Sequence, residues 1–283
     1  MKKIGHSKIL AMKTIKRLLT GFDSLDNLIG GFQFGSLITF AGRPCMRTEH
    51  FTYSLMRYWL NNKDIEEDIV FFSLRTREEF VTNRMALHTL GENQRSTRWR
   101  AEYHMKGLDL SLLCDKIRSY AWKENKRVFV IDNFNMIENS VYQDLRQNNQ
   151  IIAKELCKLA HELGVIIIVD AMLFSYYIEE REGIEGKHPC LADLGYQGMS
   201  GDLDVFSDVV LGFWTPEKYH IYRHGTGKDL REIVEIEVLK NVEDDNSEGR
   251  RISLLMNKKT QLIENPTEHN NQDLVQTKAT EPF

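Results

Sequence analysis

The sequence predicts an α/β protein with an open, mostly parallel, doubly wound sheet and antiparallel strands near its C-terminus. Five short apolar runs have the length and continuity of buried parallel strands: residues 37–41, 68–74, 128–132, 165–169 and 208–213. Segments with apolar residues at helical spacing separate most of these runs. Later in the chain the period changes to alternation, at residues 234–238 and 252–256, which is typical of half-exposed antiparallel strands.

Composition excludes several classes of protein. The chain has 283 residues, of which 42% are apolar and 28% charged, and these shares are ordinary for a soluble globular protein. Its formal net charge of −4 gives no global attraction to nucleic acid. The four cysteines form no C-x-x-C pair, which favours a reducing compartment, and we expect the cytoplasm. No apolar run reaches the roughly 18 residues of a membrane span, so we expect no transmembrane helix. His50, His161 and His188 show no metal-ligand spacing with one another or with cysteine, so we expect no metal site.

The N-terminal elements precede the first buried run. Residues 1–19 are basic, with Ile9, Met12 and Ile15 near helical spacing, and predict an amphipathic arm. That arm packs on its own domain or serves as a linker helix that docks on a neighbouring subunit. A membrane-surface helix is less favoured, because the apolar face is small. A short helix follows, capped by Thr20 or Asp23 and ended by two glycines.

The later elements alternate between helix and strand. Helical spacing predicts helices at about 77–90, around 110–120 and, most clearly, at 142–163. Residues 93–106 and 176–201 are interpreted as loops, the second long enough to be functional. From residue 257 onward the chain is polar and predicts a disordered tail. We therefore divide the chain into an arm (1–19), one α/β domain (20–256) and a tail (257–283).

The first strand and the helix after it enclose the main motif. A strand, a glycine turn and a helix form the setting of a phosphate-binding loop, whose working pattern is G-x-x-x-x-G-K-[ST]. Here the corresponding residues read G-R-P-C-M-R-T-E. The candidate nucleotide-binding residues are Gly42, Arg43, Pro44, Cys45, Met46, Arg47, Thr48 and Glu49.

Polar residues follow the other predicted strands. Arg75, Asp132 and Asp170 stand at strand ends, as Gly42 does. Ligands of open parallel sheets bind at the carboxyl ends of the strands. These four residues are therefore expected to converge on one edge of the sheet.

Several sequence blocks occur in a recognisable order. They read T-G-F-D-S-L-D-N-L-I-G-G-F-Q at 20–33, G-R-P-C-M at 42–46, V-F-V-I-D-N-F-N-M-I at 128–137, P-C-L-A-D-L at 189–194 and G-D-L-D-V-F-S-D-V-V at 201–210. Over residues 19–256 the chain resembles the C-terminal, RecA-like motor domain of DnaB-type replicative DNA helicases. The resemblance implies a RecA-like P-loop fold, ATP and Mg²⁺ as cofactors, DNA as a partner and a hexameric ring. It also makes Asp132 the Walker B carboxylate.

The departures from the family pattern fall on its chemistry. Thr48 replaces the phosphate-loop lysine, Glu49 replaces the hydroxyl that holds Mg²⁺, and Arg47 replaces a glycine that often has positive φ. Arg75 stands where the family has a catalytic glutamate, and residues 170–174 hold no glutamine. Lys240 is retained as a candidate contact with a neighbouring subunit, but the arginine that accompanies it is missing. The pattern predicts weak or absent hydrolysis, and no catalytic residue is assigned.

Three hypotheses remain open from the sequence. In the first, the chain is a helicase-like protein with a degenerate nucleotide site that assembles with itself or with an intact helicase. In the second, Arg43 or Arg47 replaces the lysine and the chain is an active ATP-dependent helicase. In the third, it is a scaffold that binds only protein. Asp132 is a metal ligand or a strand-end acid that meets a loop N–H or a basic neighbour. Arg75 is interpreted as a structural ion-pair partner rather than a catalytic group, and Lys240 is otherwise a solvated lysine.

Overall fold

A computed structural model of the chain describes residues 16–86, 98–139, 145–173, 188–194, 202–223 and 229–266. The strands are β1 (Arg17–Leu18), β2 (Phe32–Gln33), β3 (Ser36–Gly42), β4 (Ile69–Ser73), β5 (Trp99–Tyr103), β6 (Leu108–Asp109), β7 (Val128–Asp132), β8 (Ile137–Glu138), β9 (Ile166–Met172), β10 (Val209–Trp214), β11 (Ile233–Asn241), β12 (Arg251–Asn257) and β13 (Leu262–Glu264). The helices are α1 (Asp23–Ile29), α2 (Thr48–Asn61), α3 (Glu78–Ala86), α4 (Leu110–Lys123), α5 (Leu145–Leu163) and α6 (Leu203–Phe206).

One large sheet organises the described chain. Its nine strands run in the order β13-β12-β11-β10-β3-β9-β7-β4-β5. From β10 to β5 neighbouring strands are parallel, and from β10 to β13 they are antiparallel. This architecture confirms the predicted fold class, a mostly parallel α/β sheet with antiparallel C-terminal strands.

Helices cover both faces of the sheet. On one face Leu25 of α1 and Phe51 of α2 pack with Ile38 and Phe40 of β3. On the other face α4 and α5 pack with the strand residues that alternate with these, such as Leu37 of β3. Because side chains of a strand alternate between faces, β3 serves two apolar cores, and all seven of its residues are buried.

The predicted helices and parallel strands are found with shifts of a few residues, but three expectations are wrong. The predicted loop at 93–106 contains β5, which pairs with β4 at the edge of the sheet. Within the predicted helical arm, Arg17–Leu18 forms a strand paired with β2, while residues 1–15 lie outside the described range. The predicted tail begins with an ordered segment, since β13 pairs with β12 and Ile263 is buried.

Two further expectations concern the ends of α1 and the long loop. Neither Thr20 nor Asp23 caps α1; instead the carboxylate of Asp26 accepts the backbone N–H groups of Thr20 and Gly21 at 2.8 and 2.9 Å. Gly30 ends the helix at φ +68°, as predicted. Most of the predicted loop at 176–201 lies outside the described residues. In the part of the chain that is described, no helix combines the length and apolar character needed to cross a bilayer.

Candidate functional site

The turn between β3 and α2 has the backbone of a tight phosphate-type loop. Met46 N–H donates to the Arg43 carbonyl at 3.1 Å, and Phe51 N–H donates to the Arg47 carbonyl at 3.0 Å. Cys45 and Arg47 have φ values of +71° and +70°. Such left-handed conformations cost a residue with a Cβ about 1 kcal/mol or more, so the turn keeps a shape that suits glycine while carrying bulkier residues.

Residues far away in sequence hold this turn in place. Lys218 Nζ donates to the Pro44 carbonyl at 2.6 Å. The buried Met46 side chain accepts the Thr215 N–H through its Sδ at 3.3 Å. Sequence reasoning missed Lys218 and Thr215, because nothing local marks a contact between segments so far apart in the chain. The turn is therefore fixed from the side of β10 as well as by its own hydrogen bonds.

Strand register brings the predicted polar residues together. Ser73 of β4, Asp132 of β7 and Asp170 of β9 lie side by side across adjacent parallel strands. Arg75 follows β4 by two residues, and Glu49 lies in the first turn of α2. The convergence predicted from strand ends is found in the structure.

Arg75 lies at the centre of this group. Its Nε donates to Oδ1 of Asp132 at 2.7 Å, and its Nη2 lies 3.6 Å from Oδ2 of Asp170 and 3.9 Å from Oε2 of Glu49. The hydroxyl of Thr76 donates to the second oxygen of Asp132 at 3.2 Å. Thus the ion-pair interpretation of Arg75 agrees with the geometry, and both carboxylate oxygens of Asp132 have donors within the chain.

Thr48 faces the same group. It is buried, and its hydroxyl donates to Oδ2 of Asp170 at 3.1 Å. A Cβ added to Gly42 would lie only 3.0 Å from Cγ2 of Thr48, so the glycine allows the helix to start close to β3. The side chain at the lysine position is therefore directed toward the strand ends and engaged there.

Burial and mutual repulsion shift the titration of the acids. Burial, the charge of Asp132 and that of Glu49 raise the pKa of Asp170, although Arg75 and Thr48 oppose the rise. Burial and Asp132 likewise raise the pKa of Glu49. Although burial opposes its charge, the pKa of Arg75 is raised by Asp132, Asp170 and Glu49. Arg84 and Arg75 oppose the rise for Glu49. In the cluster of Glu49, Arg75, Asp132 and Asp170, hereafter the Arg75 cluster, three acids thus surround one central guanidinium.

The outer side of α2 carries further charge. The guanidinium of Arg84 from α3 lies over the Tyr53 ring, 5.8 Å from its centroid. Burial together with Arg84 and Arg47 lowers the pKa of His50 to about 4. The charge of Arg47 therefore acts on residues beside α2, and it also contributes to a lowered pKa of Glu217, whose main cause is the hydrogen bond from Lys258.

Lys240 does not join the Arg75 cluster. It pairs with Val210 early in β10, and its Nζ donates at 2.9 Å to the carbonyls of Asp204 and Val205. Those carbonyls belong to α6, so Lys240 satisfies orphan acceptors of a short helix. The interpretation of Lys240 as a solvated lysine needs this correction, because its ammonium group has two partners within the chain.

Known proteins share parts of this sequence. The family described as "DnaB-like helicase C terminal domain" matches residues 18–103. The chain is similar to the replicative DNA helicase DnaB of Mycoplasma genitalium, with 28% identity over 236 residues that cover 75% of this chain and 48% of that protein. It spans about half the length of the curated relatives it matches.

Two solved structures share the fold. A solved ATPase domain aligns with a TM-score of 0.73 and 22% identity over 91% of this chain and 94% of that one. A DnaB-like replicative helicase, described with its interactions with primase, aligns with a TM-score of 0.70 and 21% identity over 91% of this chain and 64% of that one. At these identities the two structures establish the RecA-like fold alone.

Proposed function

We propose that this RecA-like chain carries a DnaB-type helicase C-terminal domain and is a helicase-like protein whose nucleotide site is degenerate. It serves DNA replication or another DNA transaction and hydrolyses ATP weakly or not at all. The observation that carries the proposal is the position of Arg75 among the strand-end carboxylates.

Arg75 competes with a metal ion for the same oxygens. Mg²⁺ binds through carboxylate oxygens and keeps near-ideal octahedral geometry. Here one oxygen of Asp132 accepts from Arg75 and the other from Thr76. A fixed guanidinium already neutralises the charge that Mg²⁺ would neutralise, so metal binding would first require Arg75 to leave.

The loop residues are also poorly suited to a triphosphate. Thr48 is neutral, shorter than lysine and engaged by Asp170. Glu49 would face the phosphates with like charge. Phosphoryl transfer depends on positioned charge, and the loss of one such group costs roughly 10²–10³ in rate. With several groups replaced, this donor set does not fit a magnesium-bound ATP.

The proposed partners are inferred from the resemblance to the helicase family and not from the geometry of the site. We propose that the chain assembles into a homo-oligomer, a hexameric ring by resemblance, or joins an intact helicase. DNA remains a candidate partner despite the net charge of −4, since a basic surface can be local. Lys240 remains the proposed contact with a neighbouring subunit, with its two intrachain carbonyl contacts as the alternative role. The reducing cytoplasm is the compartment that we propose for all of these roles.

Turnover and nucleotide binding test the proposal. ATP hydrolysis with Mg²⁺ is measured with and without single-stranded DNA, beside an intact DnaB-type helicase under the same conditions. We expect turnover at least about 10²-fold below that of the intact enzyme. DNA-stimulated hydrolysis that disappears in Arg47→Ala would instead establish the active-helicase alternative. Stabilisation by millimolar ATP would exclude the scaffold alternative, because a ligand of the native state raises apparent stability.

Two variants that restore the phosphate-loop pattern, with and without Arg75, test whether Arg75 blocks nucleotide binding. Arg47→Gly, Thr48→Lys and Glu49→Thr together rebuild the loop pattern. We expect this triple variant to bind magnesium-ATP no better than the wild type, because Arg75 still holds the carboxylates. Adding Arg75→Glu should increase ATP affinity. Equal affinity of the triple and quadruple variants, with both folded by circular dichroism, would mean that Arg75 is not the obstacle.

A further inference from the structure

A second group of chemically reactive side chains lies at the amino ends of the parallel strands, opposite the Arg75 cluster. Cys157 and His161 stand one turn apart on α5, and Asp208 directly precedes β10. Residues four apart on a helix share a face, and Asp208 enters from another element. From the sequence we expect no metal-ligand spacing for His161, but its position four residues after Cys157 places both side chains on one face of α5.

Distances within the group are close to those of a metal site. Sγ of Cys157 lies 3.9 Å from both ring nitrogens of His161. Nε2 of His161 lies 3.2 and 3.1 Å from the two carboxylate oxygens of Asp208. One ligand atom from each residue falls within 4.8 Å of the other two. Tetrahedral zinc with bonds of about 2.0–2.3 Å separates its ligand atoms by roughly 3.3–3.8 Å, so only small movements are needed.

The group is also held in position and accessible. Oδ2 of Asp208 accepts the Leu37 N–H at 2.8 Å, the kind of support that orients a metal ligand. Cys157 is half-buried, whereas the side chain of His161 is 51% exposed. His161 and Asp208 line a surface cavity of about 260 Å³. A cation can therefore reach the three side chains from solvent.

We propose that Cys157, His161 and Asp208 bind one zinc ion, with water in the fourth position. Thiolate and imidazole ligands favour zinc over the hard cations Mg²⁺ and Ca²⁺. A thiolate and a carboxylate balance the two charges of the ion. The bound zinc joins α5 to the start of β10. The site shares no side chain with the Arg75 cluster, so it stands or fails independently of the proposed nucleotide chemistry.

Cobalt substitution tests the site directly. The tag-free chain, stripped with a chelator, is titrated with Co²⁺ and then with Zn²⁺. We expect one Co²⁺ per chain, a sulfur-to-cobalt charge-transfer absorption, and its loss when Zn²⁺ displaces the cobalt. Cys157→Ser should abolish that absorption, and His161→Gln should weaken metal affinity by more than about tenfold.

The controls separate this site from adventitious thiol binding. Cys45→Ser removes an exposed cysteine elsewhere and should leave the titration unchanged. Asp208→Asn is avoided as the main test because its carboxylate also holds the Leu37 N–H. Circular dichroism verifies that each variant folds. An absorption that survives Cys157→Ser, one that is lost in Cys45→Ser, or no binding at micromolar metal would each overturn the proposal.

Discussion

At the scale of single residues, Arg75 links three acids that the sheet brings to one place. Its partners Asp132 and Asp170 are nearly inaccessible, with side chains 5% and 6% exposed. Buried carboxylates of this kind need a cation or protons, since an unpaired charge in the interior is costly. The same arginine therefore supports the folded state and lies at the carboxyl ends of the strands, where ligands of open parallel sheets bind.

Arg75→Gln should destabilise the protein in a pH-dependent way. We expect a loss of about 3 kcal/mol near pH 8, because two buried carboxylates lose their cation. Without Arg75 the already raised pKa of Asp170 rises further. The folded state then holds protons that the unfolded chain lacks, so the variant's stability falls as pH rises and the loss is smaller near pH 5. Urea unfolding of the wild type and of Arg75→Gln at pH 8 and pH 5 measures this loss of stability.

A matched control for Arg75→Gln is available in α4. Arg118→Gln breaks an exposed pair with Asp115, 3.5 Å apart. Such pairs contribute little, so the control should change stability by less than about 0.5 kcal/mol at either pH. A small, pH-independent effect of Arg75→Gln would show that the carboxylates do not rely on Arg75.

Arg47 carries backbone strain that substitution can reveal. Its φ of +70° suits glycine, so Arg47→Gly should be roughly 0.5–1 kcal/mol more stable than Arg47→Ala. The two variants lose the same side chain beyond Cβ, and their difference therefore reports the backbone. Thermal and urea unfolding measure that difference. An alanine variant as stable as the glycine variant would place the strain elsewhere in the turn.

At the scale of elements, the edges of the sheet were the hardest to predict. In β5, Trp99–Tyr103 places charged residues between aromatic ones and is only partly buried, as edge strands often are. In β13, Leu262–Glu264 has only two apolar residues within a polar stretch. Both strands form because a neighbouring strand offers its open edge, and that information is not local.

Ile263→Ala tests whether β13 is part of the core. Ile263 is 3% exposed, and its N–H donates to Oγ of Ser54 in α2 at 2.8 Å. We expect a loss of about 2–4 kcal/mol in the free energy of unfolding, from lost burial and a residual cavity. Val242→Ala, at a residue 53% exposed, should cost less than about 0.5 kcal/mol. Equal effects of the two substitutions would contradict an ordered β13.

At the scale of the whole molecule, the sheet joins the two apolar cores. Strands such as β3 and β9 contribute alternate residues to each face, so both cores depend on the same strands. The antiparallel strands β11 to β13 continue the same hydrogen-bonded sheet. All nine described strands of this sheet therefore belong to one hydrogen-bonded unit.

Unfolding of the wild type should therefore be a single transition. Trp59 and Trp214 are buried in the core cluster on the α1–α2 face, whereas far-UV circular dichroism reports all elements. We expect both probes to give the same urea midpoint, since the shared sheet couples the faces. A fluorescence transition separated from the circular dichroism transition would indicate two independently unfolding units.

The sequence by itself determined the sheet class, the principal helices and the convergence of Gly42, Arg75, Asp132 and Asp170 at one edge. It could do so because buried parallel strands read as continuous apolar runs, and their carboxyl ends meet by topology. It also predicted which residues of the turn after β3 depart from the phosphate-loop pattern, since that motif is contiguous, and those assignments stay predictions.

Only the tertiary structure decided which partners those residues take. The Lys218 contact to Pro44, the Thr48 bond to Asp170 and the group formed by Cys157, His161 and Asp208 all join segments distant in sequence. Strand order and register create such contacts, and neither periodicity nor composition encodes them locally. For the same reason β5 and β13 were identified only once their neighbouring strands were in place.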